Sequence, residues 1–358
     1  MKLLFLMFDN REMKLFEEKK IRKIGIFRAL YLGDMLCIVP FVRALRAAYP
    51  DAIIVLIGIP WEKEFVKRFS KYFNNFIEFP GWPGLPEQEP NQEKIVQFLE
   101  LVRSLQLDLL IQMQGNGIIT NSMCMLWGAK NVCGLRRENQ YCADEKLFPI
   151  SEDDDHEVLR FLKLADALQI PKQGKNLEFP FFDHELEEFE VIKETLGINS
   201  KQYICLHAGA RDVRRRWSID NFAFVANELA SRGYTILLTG SLQEKTLLDD
   251  LEGKINYPVV NIINRLGDVG LGALALIIKH SGMLISNDTG VSHIASALKV
   301  PSVIIFSPYS SIERWAPLNR SLHHLIKPEE SKNAEDVLNR VLGSLDSRIK
   351  ESSSVLLD

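Results

Sequence analysis

Met283-Leu284-Ile285-Ser286 runs into Asn287-Asp288-Thr289-Gly290-Val291-Ser292-His293 and then into the helical pattern Ile294–Leu298. The first four residues predict a strand, and Asp, Thr and Gly ahead of an apolar periodic run are helix-start residues. The strand is apolar without alternation, which fits a parallel sheet covered on both faces. The first N–H groups of a helix have no intrahelical acceptor, so Asp288, Thr289 and Gly290 can cradle an anion, with His293 close to the same mouth. On this stretch alone, Asp-Thr-Gly also reads as a plain cap and His293 as a structural histidine.

The same strand-to-helix unit recurs along the chain. Strands are predicted at Lys23–Phe27, Ile53–Gly58, Asp108–Met113, Tyr203–His207, Tyr234–Thr239, Val259–Ile263, Met283–Ser286 and Ser302–Phe306. Amphipathic stretches such as Met35–Ala48, Trp61–Tyr72, Gln92–Leu105 and Val158–Leu168 lie among them. Strand alternating with helix is the mark of an α/β fold. Pro171, Gly174, Asn176 and Pro180 interrupt the pattern, so a linker is placed between Ile170 and Asp183. The expected organisation is an extension over 1–21, α/β domains over 22–175 and 176–345, and a polar tail over 346–358. Two such domains with parallel sheets would face a central cleft, the usual place for a ligand.

Composition narrows the function. Among 358 residues, 43 Lys and Arg against 47 Asp and Glu give a net charge of -4, which argues against a general nucleic-acid binder. The sequence has no run of ~18 apolar residues that could span a bilayer. Five cysteines without a C-x-x-C pair point to free thiols in a reducing compartment. Leu3–Phe8 is too short for a signal-peptide core and meets Asp9, Asn10, Arg11 and Glu12 at once. It reads as an extra strand or frayed extension, or as a weak interfacial anchor helped by the lysines and arginine that follow. The protein is expected in the cytoplasm.

Two other junctions carry chemistry. After Lys23–Phe27, Tyr31-Leu32-Gly33-Asp34 leads into a helix that contains Pro40. Gly33 permits a tight turn, and Asp34 either caps the helix or accepts a proton. After Tyr203–His207, Ala208-Gly209-Ala210 precedes Arg211 and Arg214-Arg215-Arg216-Trp217. Four arginines in six positions of an acidic protein suggest an anion site, the alternative being a solvated basic loop. Glu152-Asp153-Asp154-Asp155-His156 mimics a D-x-D metal motif but lacks a preceding strand, so it reads as an acidic helix start. There is no G-x-G-x-x-G after a strand and no G-x-x-x-x-G-K-[ST], which removes motif support for a dinucleotide enzyme or a P-loop NTPase.

In this order the three junctions resemble family 9 glycosyltransferases, the bacterial ADP-heptose:lipopolysaccharide heptosyltransferase family, over roughly residues 22 to 330. Gly33-Asp34, Gln114-Gly115, His207-Ala208-Gly209-Ala210 with the Arg-Trp ending at Trp217, and Asp288 to His293 carry the likeness. The resemblance implies a GT-B fold, with the nucleotide-sugar donor held by the C-terminal domain and a saccharide or glycolipid acceptor by the N-terminal one. It implies Asp34 as catalytic base, Arg215 where a phosphate-binding lysine usually stands, and Asp288, Thr289, Gly290 and His293 in the donor motif. Glu244 matches a ribose-contacting glutamate, and Gly33, Tyr31 and Gln114 fall on loops that would flank acceptor or donor.

The expected function is therefore an inverting, metal-independent sugar transfer, with heptose as the family's sugar and an ADP-sugar as donor. No further cofactor is implied, and membrane contact would be at most peripheral, at the inner face of the membrane. Leu30 and Tyr31 replace the family's serines before Gly-Asp, and Ser307-Pro308-Tyr309 replaces a Gly-Pro-Thr stretch. Those departures bear on sugar and acceptor, not on reaction type. A nucleotide-sugar epimerase, or a non-catalytic nucleotide-sugar-binding protein, would share the donor site.

Overall fold

The computed structural model describes residues 21–140 and 142–355. The expectations for Leu3–Phe8 and the rest of 1–20 lie outside these residues. In chain order, the first sheet is built from β1 (Lys23–Phe27), α1 (Leu32–Ala48), β2 (Ile53–Gly58), α2 (Glu62–Arg68), β3 (Asn75–Glu78), α3 (Gln92–Ser104), β4 (Leu109–Gln112), α4 (Thr120–Met125), β5 (Val132–Gly134) and α5 (Glu157–Ala167). The second series is α6 (Asp183–Leu196), β6 (Tyr203–His207), α7 (Ile219–Ser231), β7 (Thr235–Leu238), α8 (Lys245–Glu252), β8 (Val260–Asn261), α9 (Ile262–Leu266), α10 (Leu271–His280), β9 (Met283–Asn287), α11 (Gly290–Leu298), β10 (Ser302–Ile305), α12 (Ile312–Trp315), β11 (His323–Ile326) and α13 (Ala334–Val355).

Strand order is β3-β2-β1-β4-β5 in one sheet and β11-β10-β9-β6-β7-β8 in the other. Every pairing is parallel. The central strands are largely apolar and buried on both faces, as in Ile24, Ile26 and Phe27 of β1 and Met283, Leu284 and Ile285 of β9. Burying each such side chain is worth roughly 1.5–3 kcal/mol, which holds these runs inside the sheets. Sequence order reverses between β1 and β4, and again between β6 and β9. Those are the topological switch points, where the loops leaving adjacent strand ends diverge and leave room for a ligand.

Chain contacts resolve two compact units. Among the described residues, one holds residues 21–31 together with Ile38–Lys175, and the other holds Leu32–Cys37 together with residues 176–355. The first six residues of α1 thus belong with the second unit.

Several expectations need correction. The segment Val259–Ile263 is strand only at Val260–Asn261. Asn261 then caps α9, its side chain accepting from the Asn264 N–H, and a helix start ends the strand. Of the tail expected at 346–358, residues 346–355 continue α13 to Val355 through a stretch without Gly or Pro to stop it, and 356–358 lie outside the described residues. Strands β3 (Asn-Phe-Ile-Glu) and β11 (His-His-Leu-Ile) mix polar with apolar residues and β5 spans only three, so none offers an apolar run and none has a counterpart in the sequence reading. Among the described residues no helix is long and apolar enough to cross a membrane.

Candidate active site

The site residues of the second unit gather at the β6/β9 switch point, where His207 and Ser286 are register partners. Thr289, in extended conformation, is the N-cap of α11, which begins at Gly290. The expected cradle sits one residue further along than the sequence suggests. The Asp288 N–H is already given to the Ile305 carbonyl (3.0 Å) and the Ser292 N–H to the Thr289 carbonyl (3.0 Å), so the helix start offers the N–H groups of Thr289, Gly290 and Val291. Asp288 does not cap α11 either. Its buried carboxylate accepts from the Ser310 hydroxyl and lies 3.8 Å from Arg215 Nη1. Ser310 sits beside the Tyr309 departure and carried no signal in the sequence.

The arginine cluster separates into distinct roles. Asp212 accepts from the Arg214 backbone (3.0 Å) and binds its guanidinium through both oxygens, and the exposed Tyr309 ring stacks 5.0 Å from it. Arg216 Nε donates to the Ala210 carbonyl (2.9 Å). Trp217 is buried under the loop and donates from Nε1 to the Ser331 carbonyl (2.7 Å). Arg215 is half-buried, and its Nε is enclosed without a hydrogen-bond partner. A cation beside a helix start, with donor capacity to spare, can take a diphosphate.

Glu244 ends a short 3-10 turn, Leu242–Glu244, and its Oε2 accepts from the Ser241 N–H (2.9 Å) and hydroxyl (3.0 Å). Its other side lies over Gly209, where an added Cβ would come within 1.9 Å of Oε1. Only glycine lets the carboxylate reach this position at the end of β6. Burial lowers the His207 pKa, opposed by the charge of Glu244, and His207 Nδ1 lies 3.1 Å from the Thr239 hydroxyl.

The turn carrying Asp34 meets the same helix start within the second unit. An added Cβ on Gly33 would lie 2.8 Å from His293 Cδ2 and 3.6 Å from the Gly290 Cα. His293 is buried, with Cys37 Sγ 3.7 Å from its Nδ1 and the Trp315 ring edge-on at 6.2 Å. Asp34 is half-buried in the first turn of α1, but Tyr31 is the N-cap. The capping alternative for Asp34 is therefore corrected, since its position lies past the cap.

In the first unit, the loop after β1 is pinned by polar side chains. Gln114 is buried, and its amide clamps the Ala29 backbone, with Oε1 2.9 Å from the Ala29 N–H. Buried Glu62 accepts from the Leu30 N–H (2.8 Å), and Trp61 donates to the Leu30 carbonyl (2.9 Å). Arg28, Glu157 and Arg160 form a buried charged triad. The two arginines donate to the Met113 and Gly115 carbonyls. Of these, only Gln114 stood out in the sequence. Asp153 and Asp155 pair with Arg137 and Lys163, and the helix after them starts at Glu157 with His156 as its N-cap.

Comparison with known proteins gives a consistent picture. The family model for glycosyltransferase family 9 (heptosyltransferase) matches residues 95–343. Lipopolysaccharide heptosyltransferase 3 of Escherichia coli (strain K12) is 24% identical over 303 residues, 82% of this chain and 84% of that protein. The crystal structure of a family 9 glycosyl transferase from Veillonella parvula superposes with a TM-score of 0.72 at 16% identity, covering 93% of this chain and 100% of that one. The E. coli ADP-heptose lps heptosyltransferase II structure gives a TM-score of 0.68 at 20% identity, covering 92% and 99%.

Proposed function

The chain belongs to glycosyltransferase family 9, and on that premise we propose that it transfers a sugar, heptose in the first instance, from an ADP-sugar to a lipopolysaccharide-type saccharide. Asp34 takes the proton of an acceptor hydroxyl. The oxygen's electron pair forms the new bond at the anomeric carbon on the face opposite the nucleotide. The anomeric C–O bond breaks toward the diphosphate, which leaves with that electron pair, and the configuration inverts.

Negative charge grows on the leaving diphosphate. Arg215 and the open N–H groups at the start of α11 meet it with positive potential that is already in place before reaction. These groups supply what a divalent ion supplies in other sugar transferases, so the reaction needs no metal. Glu244 holds the ribose from its position over Gly209. A lipid-linked acceptor places the work in the cytoplasm, at the inner face of a membrane, through peripheral contact.

The observation that supports this reading most is the convergence at the start of α11. Arg215 and Asp288 meet there, and the Gly33-Asp34 turn packs on His293 of the same helix. The test supplies ADP-heptose with and without a heptose-deficient lipopolysaccharide acceptor and follows ADP release. Acceptor-dependent release that persists in excess EDTA is expected, and Asp34→Asn should slow it roughly 10²–10⁴-fold. Acceptor-independent change of the sugar would mark an epimerase, and ADP-sugar binding without turnover a binding protein. Less than about tenfold loss in a folded Asp34→Asn protein would remove Asp34 from the base role.

A further inference from the structure

Asn287 is fully buried at the end of β9, one residue before Asp288. Its side chain makes contacts on both sides of the arginine loop. Nδ2 donates to the Ala208 carbonyl (2.8 Å) and, at greater length, to the Gly209 carbonyl (3.3 Å). Oδ1 accepts from the Trp217 N–H (2.8 Å). Ala208 is where the loop leaves β6, and Trp217 is where it returns toward α7, so one amide ties both ends of the segment that carries Arg215.

The pairing is specific to asparagine. A carbonyl on one side and an N–H on the other require one donor and one acceptor at the same branch point, and the amide supplies both. Alanine would leave a buried N–H and a buried carbonyl without partners, and an ionised aspartate would set its charge against the Ala208 carbonyl. Inside the loop, the Arg215 N–H bonds the Asp212 carbonyl (2.9 Å), and Arg216 ties back to Ala210. With its ends clamped, the loop has little freedom to move Arg215 relative to Asp288 and the start of α11.

We propose that Asn287 is a positioning residue for transfer, holding Arg215 at the distance from α11 at which both meet the departing diphosphate. This rests on the diphosphate reading of Arg215. Asn287 touches no substrate and acts through the arginine. The prediction is therefore a coupling: what Asn287 contributes to catalysis should depend on Arg215 being present, whereas a scaffold contribution would not.

The test is a double-mutant cycle of Asn287→Ala and Arg215→Ala in the full chain, with kcat/KM for ADP-heptose, the affinity for ADP and thermal melting measured for each protein. Each single variant is expected to lose about ten- to a hundredfold in kcat/KM, and adding Asn287→Ala to Arg215→Ala should cost less than about threefold more. Losses that simply multiply, with ADP affinity weakened in Arg215→Ala, overturn the role of Asn287 alone. Unchanged ADP affinity in Arg215→Ala overturns the diphosphate reading and the proposal with it.

Asn287→Asp serves if the alanine variant does not fold. A protonated carboxyl donates to Ala208 as the amide does, so its kcat/KM relative to the parent should rise as pH falls through the carboxyl range. A flat ratio overturns the proposal.

Discussion

Glu157→Gln should unsettle the whole first unit. Glu157 is 1% exposed and lies between Arg28 Nη2 at 2.8 Å and Arg160 Nη1 at 3.3 Å, with the two arginines 0% and 4% exposed. Both guanidinium groups also lie over the Phe161 ring, at 4.6 and 5.0 Å, so little water reaches any of the three. At an effective dielectric of about 20, each contact carries roughly 5–6 kcal/mol of gross attraction, most of which offsets desolvation. Removing one partner of a buried pair costs about 3–5 kcal/mol because the remaining buried charges lose their counter-charge. The glutamine keeps one neutral acceptor, which places the change near the lower figure, about 3 kcal/mol. For a unit of roughly 150 residues, that lowers the melting temperature by about 6–12 °C. Differential scanning calorimetry at pH 8 reads it directly. A shift under about 2 °C would refute the reasoning, since the arginines would then have found other compensation.

The remaining expectations concern the site and the pH response. Gly33→Ala forces a Cβ to 2.8 Å from His293; overpacking of ~1–3 kcal/mol is partly offset by ~0.5–1 kcal/mol of helix preference. The net cost of about 0–2.5 kcal/mol should lower melting by no more than about 10 °C, while turnover drops about tenfold or more from displacement of the site, and unchanged turnover would show the contact to be slack. Arg215→Ala should weaken ADP binding by roughly 1.5–3 kcal/mol, whereas Arg214→Ala, whose guanidinium is held by Asp212, should change it by less than threefold or so; equal effects would return the cluster to a basic loop. Burial, with help from His324, Arg320 and His293, takes His323 from 6.5 to about 4. Between those values the unfolded chain binds a proton the fold refuses, so stability falls as pH drops, by about 2 kcal/mol at pH 5. His323→Gln, measured by thermal melting from pH 7 to pH 5, should flatten that decline, and a parallel curve would assign it elsewhere.

Much of the fold was legible in the chain. β1, β2 and β6 lie where their apolar runs predict, because a strand buried on both faces must be apolar throughout. Pattern weakened where a strand mixes polar residues in, at β3 and β11, where it spans three residues, at β5, and where a local cap competes, at Asn261. The helix start near Asp288 could also be located from residue type, since caps depend on groups within a turn of one another.

The sequence by itself determined two parallel α/β series and the three strand-end junctions, through periodicity and turn chemistry that act over a few residues. Only the tertiary structure sorted the arginines, assigning Arg214 to Asp212 and Arg216 to Ala210 while leaving Arg215 Nε unpartnered. It also buried Glu62, Arg28 and Glu157, which read locally as ordinary charged residues, and made Asn287 a clamp between the ends of a loop some 70 to 79 positions away. A polar side chain is stabilised in a core only by partners that satisfy it, and here those partners arrive from distant parts of the chain, as in the 129-residue separation of Arg28 and Glu157. Local pattern carries no record of such meetings; they exist once the sheets form and bring their strand ends together.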